Sequence, residues 1–135
     1  MSDPIDVVRR FCAALSGRDT EAVRPLLTDD AVYQNVGMAA NVGVDAVVAD
    51  LTNQYSMFPE EYRFDIKHVA VNGNVVLTER IDHLAGPAMK LVLPVMGTFV
   101  VDGGRISRWT DYFDTGLVAK MMTGEDYSAL VPQTY

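Results

Sequence analysis

Val75-Val76-Leu77-Thr78-Glu79-Arg80-Ile81-Asp82-His83-Leu84-Ala85 is the stretch on which the fold turns. It is rich in aliphatic and β-branched residues and holds neither Gly nor Pro, so it reads as one long strand. Similar runs flank it: Tyr62–Val71 before it, then Lys90–Val101 and Arg105–Asp114 after it. Asn72-Gly73 and Asp102-Gly103-Gly104 are hairpin signals, because these residues accept the positive φ angles of tight turns, while the Gly86-Pro87 connection is looser. Four such runs in succession predict a long antiparallel meander.

Upstream the pattern is helical. From Asp3 to Leu15 the apolar residues Ile5, Val8, Phe11, Cys12 and Leu15 recur at three and four, with Asp3 as N-cap, Pro4 in the first turn and Gly17 past the end. Asp19 opens a second, shorter helical segment that turns Ala22, Val23, Leu26 and Leu27 inward and that Pro25 kinks or ends. Thr28-Asp29-Asp30 reads as a turn and Ala31–Val36 as a strand. Gly43–Tyr55 forms a third helix on the stripe Val44, Val47, Val48 and Leu51, and Thr115–Thr123 adds a short final one. Helices followed by a meander indicate an α+β fold, with the N-terminal helices on one face of a curved sheet. At 135 residues the chain is expected to form a single domain spanning 1–135.

Composition narrows the function. Eleven basic against eighteen acidic side chains give a net charge of −7, the wrong sign for gripping phosphate backbones, so neither nucleic acid nor an anionic membrane is expected as a partner. The lone Cys12 cannot form an internal disulfide, and one cysteine with two histidines cannot assemble a Cys/His zinc cluster. Met1–Asp6 lacks the basic start and apolar run of a signal peptide. A cytoplasmic protein in a reducing compartment is expected.

The period-two rule places Val76, Thr78, Arg80, Asp82 and Leu84 on one face of the central strand and Leu77, Glu79, Ile81 and His83 on the other. Taken alone, Arg80-x-Asp82 reads as an exposed ion pair, since most charges are solvated. The last strand repeats the anomaly: Trp109, Asp111 and Phe113 share a face, and an unpaired carboxylate between two large aromatics is expensive to bury. Arg80 has donors enough for both Asp82 and Asp111. Tyr33 and Asn35 share a face of the first strand. Together these residues suit acid/base chemistry without a covalent intermediate, with one carboxylate taking a proton from water, one carboxyl giving a proton, and neutral groups fixing the water.

With Tyr33-Gln34-Asn35, Thr78-Glu79-Arg80-Ile81-Asp82 and Trp109-Thr110-Asp111-Tyr112-Phe113-Asp114 in order, the sequence resembles the limonene-1,2-epoxide hydrolase family, in particular its mycobacterial-type members. The resemblance implies the small cone of curved mixed sheet and helices, the helices on its concave side, shared by nuclear transport factor two, ketosteroid isomerase and SnoaL-like proteins. It also implies a one-step opening of a lipophilic epoxide by water, with neither metal nor organic cofactor. By position, Asp111 matches the residue that deprotonates water, Tyr33 and Asn35 those that hold it, Asp82 the proton donor to the epoxide oxygen, and Arg80 the bridge. Thr110, where the family often has arginine, and the tail after Asp114 depart from its pattern and bear on substrate identity.

Other residues have plainer readings. His83 and His68 read as structural and Asp114 as the cap of the last helix; Tyr55, Met57 and Phe58 are candidates to border a pocket. Leu77, Ile81 and Val100 or Val101 leave apolar area on the outer sheet face, which predicts a homodimer. An isomerase or cyclase on the same fold, or a noncatalytic module binding hydrophobic ligands, are the alternatives. No Gly-rich phosphate loop or Gly-x-Ser-x-Gly elbow is present.

Overall fold

The computed structural model describes residues 3–135. Helix α1 spans Pro4–Ser16; the Asp3 carboxylate accepts the Ile5 N–H at 2.8 Å, satisfying an amide with no partner inside the helix. Its inward stripe is Val7, Val8, Phe11, Cys12 and Leu15, all buried. Asp19 caps α2, Thr20–Val23, which gives way to a 3₁₀ turn over Arg24–Leu26 at Pro25. Of the segment's expected inward residues Val23 is buried but Ala22 is exposed, because so short a helix turns only one side chain to the core.

Strand β1 runs Leu27–Asn35, so Thr28-Asp29-Asp30 is extended and not a turn. The polar triplet misleads because β1 is irregular there: its register against the last strand shifts between Leu27 and Val32, which leaves Asp29 and Asp30 in solvent while the backbone stays extended. A two-residue strand β2, Asn41–Val42, pairs antiparallel with β1 and had no sequence signal. Helix α3 spans Val44–Met57. The four long runs become β3 (Glu61–Asn72), β4 (Val75–Gly86), β5 (Met89–Asp102) and β6 (Arg105–Tyr112).

The six strands form one curved, open sheet in the order β2-β1-β6-β5-β4-β3. β3 to β6 are the antiparallel meander, and β1 lies parallel to β6, which makes the sheet mixed. α1 packs across β3 to β6 and α3 against β1. Phe11, Leu15, Leu51, Val76, Phe99 and Trp109 are fully buried between these layers. Asp114 caps α4, Thr115–Thr123, through the Leu117 N–H at 3.1 Å, and Gly124 ends it with φ of 74°, a left-handed conformation that glycine adopts without steric cost. Among the described residues no helix is long and apolar enough to cross a membrane.

The outer face differs from expectation. Leu77 is exposed, together with Met96 and Tyr112, but Val101 points into the core, and the C-terminal residues Tyr127, Val131 and Tyr135 line a cleft with Ile81, which is buried. Val101 turns inward because it continues the alternation of Leu91, Leu93, Val95, Gly97 and Phe99 on the inner face of β5.

Candidate active site

The concave face of β4 carries Val76, Thr78, Arg80 and Asp82, all buried, so the reading of Arg80-x-Asp82 as an exposed pair is overturned: Arg80 is 0% and Asp82 4% exposed. Asp111 reaches the same point from β6. The strand between them makes this possible, since Gly97 on β5 pairs with both Thr78 and Asp111. A methyl group on Gly97 would lie 2.2 Å from Arg80 Nη1 and 2.7 Å from Asp111 Oδ1, so the guanidinium occupies the space that any larger residue would fill.

All five N–H donors of Arg80 are engaged. Nε and Nη2 donate to the two oxygens of Asp82 at 3.0 and 2.9 Å, while Nη1 and Nη2 donate to those of Asp111 at 3.0 and 2.8 Å. The remaining donor reaches Thr78 Oγ1 at 3.4 Å, and the Thr78 hydroxyl in turn donates to the Gly97 carbonyl. The Phe64 ring lies 4.4 Å from the guanidinium carbon. The Trp109 indole N–H donates to Asp111 Oδ1 at 2.9 Å, and Trp109 stacks on Tyr33 with ring centres 3.8 Å apart.

A carboxyl held out of water beside a second carboxylate resists ionising, and a bonded cation works the other way. Burial is the main force pushing the Asp82 carboxyl up, to about 6; Arg80 opposes it and the neighbouring Asp111 adds to it. Burial works against charge on Arg80 too, but Asp111 and Asp82 outweigh it and hold the guanidinium well above its ordinary value. Burial, and then the Asp111 charge, push the Tyr33 phenol up, so it stays protonated.

Asp82 and Asp111 open onto a cavity of about 260 Å³. Its walls are largely apolar, with Phe58, Leu84, Leu91, Leu93, Phe113 and Val118 among them, and Tyr33 and Asn35 stand on one side. The structure therefore brings Arg80, Asp82, Asp111, Tyr33 and Asn35 together. Tyr33 and Asn35 are mutually bonded, the Asn35 amide nitrogen lying 3.1 Å from the phenol oxygen. Register accounts for their placement, since Tyr33 pairs with Trp109 and Asn35 with Asp111.

Met57 and Phe58 line the cavity, as does Met38, but Tyr55 does not: its hydroxyl donates to the Leu15 carbonyl at 2.9 Å. His83 and His68 lie away from the cavity. Sequence reading missed Gln54 and Tyr62 on the cavity wall, the donor role of Trp109, and Gly97. A glycine inside the β-rich Lys90–Val101 run was the available signal for Gly97. Gln54 had one too, standing four residues after Asp50 on the same helix face.

Residues 2–123 match the family profile described as the limonene-1,2-epoxide hydrolase catalytic domain. The chain is 36% identical to the epoxide hydrolase EphG of Mycobacterium tuberculosis over 107 residues, which are 79% of this chain and 70% of that protein. The solved structure of an LEH-like epoxide hydrolase from M. tuberculosis superposes with a TM-score of 0.81 at 32% identity, covering 96% of each chain. A protein from Shewanella denitrificans assigned as a SnoaL-like polyketide cyclase superposes with a TM-score of 0.83 at 18% identity over 90% of this chain and 98% of that one, which shows a shared fold.

Proposed function

This chain belongs to the limonene-1,2-epoxide hydrolase family, and we propose that it opens a lipophilic epoxide to a vicinal diol by acid/base-assisted attack of water. The observation that carries this reading is Arg80 bonded to both Asp82 and Asp111 beneath an apolar cavity. Burial and the charge of Asp111 raise the Asp82 carboxyl against the pull of the shared guanidinium, which suits Asp82 to give a proton and leaves Asp111 to accept one.

In the proposed step Asp111 takes a proton from water as the water oxygen bonds to an epoxide carbon. The bond from that same carbon to the epoxide oxygen breaks on the side away from the water, and the oxygen takes the proton of Asp82. Asp82 is suited to the acid role because burial holds its carboxyl up at about 6. Tyr33 and Asn35 hold the water. The diol contains one oxygen from water, and one proton must return from Asp111 to Asp82 before the next turnover. The atoms balance without a redox partner. An isomerase would use one carboxylate as a carbon base, and a cation clamped between two acids serves that task less well than activating water.

The test is turnover of terpene, styrene-type and long-chain epoxides in oxygen-18 water, with mass spectrometry of the product. One labelled oxygen per diol is expected. Asp111→Asn and Asp82→Asn should each lower the rate about 10²–10⁴-fold, the usual contribution of a positioned acid or base, and the double variant little further. Binding of hydrophobic ligands without turnover of any epoxide would instead make this a binding module.

A further inference from the structure

On α3, outside the five residues already discussed, Gln54 makes three hydrogen bonds, and their directions are fixed by chemistry. Its amide nitrogen lies 2.9 Å from Asp50 Oδ2, and a carboxylate can only accept, so the NH₂ group must face Asp50. The amide oxygen then faces the Tyr62 hydroxyl, which donates to it at 2.7 Å. The second amide hydrogen is left to point at the Tyr33 hydroxyl, 3.1 Å away. Asp50 and Tyr62 thus hold the amide from both ends and prevent it from flipping.

The consequence falls on Tyr33. Its oxygen is compelled to accept from Gln54, so its own proton must be spent on the other side, toward Asn35 and the cavity. We infer that Gln54 is a positioning residue that makes Tyr33 a hydrogen-bond donor into the site. This rests on the proposed epoxide opening and deepens it. A water beside Asp111 that accepts from Tyr33 has one lone pair tied down and the other free to meet the epoxide carbon, while its protons go to Asp111 and to the Asn35 carbonyl. Without Gln54 the phenol can turn its proton toward α3 and offer the water a lone pair instead. Three acceptors and no donor then face the water, and its nucleophilic lone pair is no longer aimed.

The experiment is a double-mutant cycle of Gln54→Met and Tyr33→Phe in the full chain, on an epoxide that the wild type hydrolyses. Gln54→Met removes the donor at similar size. It should lower kcat about 10-fold or more, the scale of a misaimed reactant, with KM changed by less than about 2-fold. In the Tyr33→Phe background the same change should alter kcat by less than about 2-fold, because a residue acting only through Tyr33 has nothing left to act on. An equal loss in both backgrounds would show a packing role and overturn the inference, as would wild-type kcat in Gln54→Met alone.

If Gln54→Met does not fold, the paired change Asp50→Asn with Gln54→Glu decides. It keeps the side-chain length and the acceptor for Tyr62, lets the amide introduced at position 50 donate to the carboxylate introduced at position 54, and reverses only the bond to Tyr33. A rate about 10-fold or more below wild type is expected, and recovery of the wild-type rate overturns the inference. The wild-type arm separates the two levels: no turnover of any epoxide removes the hydrolase reading and this inference with it, whereas wild-type turnover with unchanged variants removes the inference alone.

Discussion

Asp82 and Asp65 sit on adjacent strands, one register position apart, and each is held at 2.9 Å by a cation: Asp82 by Arg80 Nη2, Asp65 by Lys67 Nζ. The distance is the same and the consequences are opposite. On the outer face, where the Asp65 side chain keeps a third of its exposure, the hydrogen bond from Lys67 dominates and its carboxyl lies below its ordinary value. On the inner face burial outweighs the arginine, and Asp82 rises to about 6. A nearby cation therefore does not by itself set the state of a carboxyl. The water available to the charged form decides, and the one-residue alternation of a strand is enough to change it.

The comparison breaks most severely at the cation. Arg80→Ala should strand two buried carboxylates and cost about 3–5 kcal/mol, the range for breaking a buried ion pair from one side. Denaturant unfolding at neutral pH measures this. Adding Asp82→Asn and Asp111→Asn to the same variant should recover much of the loss, because the uncompensated charge is what costs. If Arg80→Ala unfolds like wild type, or if the neutral triple variant is no better, the inner cluster is not behaving as a buried charge system.

How much of this was legible in the sequence follows from the same alternation. Arg80 and Asp82 are two apart, as are Trp109 and Asp111, so spacing alone puts each pair on one face. That the two faces were the same one followed from burial cost, since Asp111 between Trp109 and Phe113 needed a partner. What could not be read were relations across strands that are not neighbours in sequence. The parallel pairing of β1 with β6 sets Asn35 beside Asp111, and the opening over Gly97 depends on how the sheet curves. The Gln54 network escaped because it joins a helix to two strands through side-chain directions that spacing does not fix. Thr28-Asp29-Asp30 reads as a turn for the reverse reason: local turn chemistry points one way, and the irregular pairing of β1 with β6 keeps the backbone extended.

A smaller effect, of opposite sign on the two faces, appears in the pH dependence of stability. Asp82 rises from an ordinary value of 3.8 to about 6, so the folded state binds more protons than the unfolded chain between those values. Its contribution is fully present below about pH 4, is lost as pH rises toward 6, and is constant above that. Measured against Asp82→Asn, wild type should lose about 2–3 kcal/mol of unfolding free energy across that window, at about 1.4 kcal/mol per pKa unit. Asp65 must slope the other way: its carboxyl is lowered, so wild type loses stability relative to Asp65→Asn as pH falls through the range just below its ordinary value. Parallel slopes for the two aspartates would remove the contrast between the faces.

The smallest effect is expected where the distance equals that of the buried Arg80–Asp82 pair. Lys67→Ala deletes an ion pair of 2.9 Å, yet both side chains are 34% exposed, so each charge is already well solvated in the unpaired state. Asp65 also keeps a second cation, Arg63 Nη1, at 3.9 Å. The loss should be below about 1 kcal/mol, the range of surface pairs, against the several expected for Arg80. It should also shrink as salt is raised, because ions screen an exposed pair and reach a buried one far less. Lys67 has one other contact that bears on the outcome: its ammonium lies 5.7 Å from the ring of Tyr135, near the end of the chain. A loss of that contact adds a few tenths to 1 kcal/mol at an exposed site and does not follow ionic strength as the carboxylate pair does. Unfolding of Lys67→Ala at low salt and at about 1 M, where the screening length falls to about 3 Å, therefore separates the two terms. A salt-independent cost as large as that of Arg80→Ala would mean that distance, and not access to water, governs these pairs.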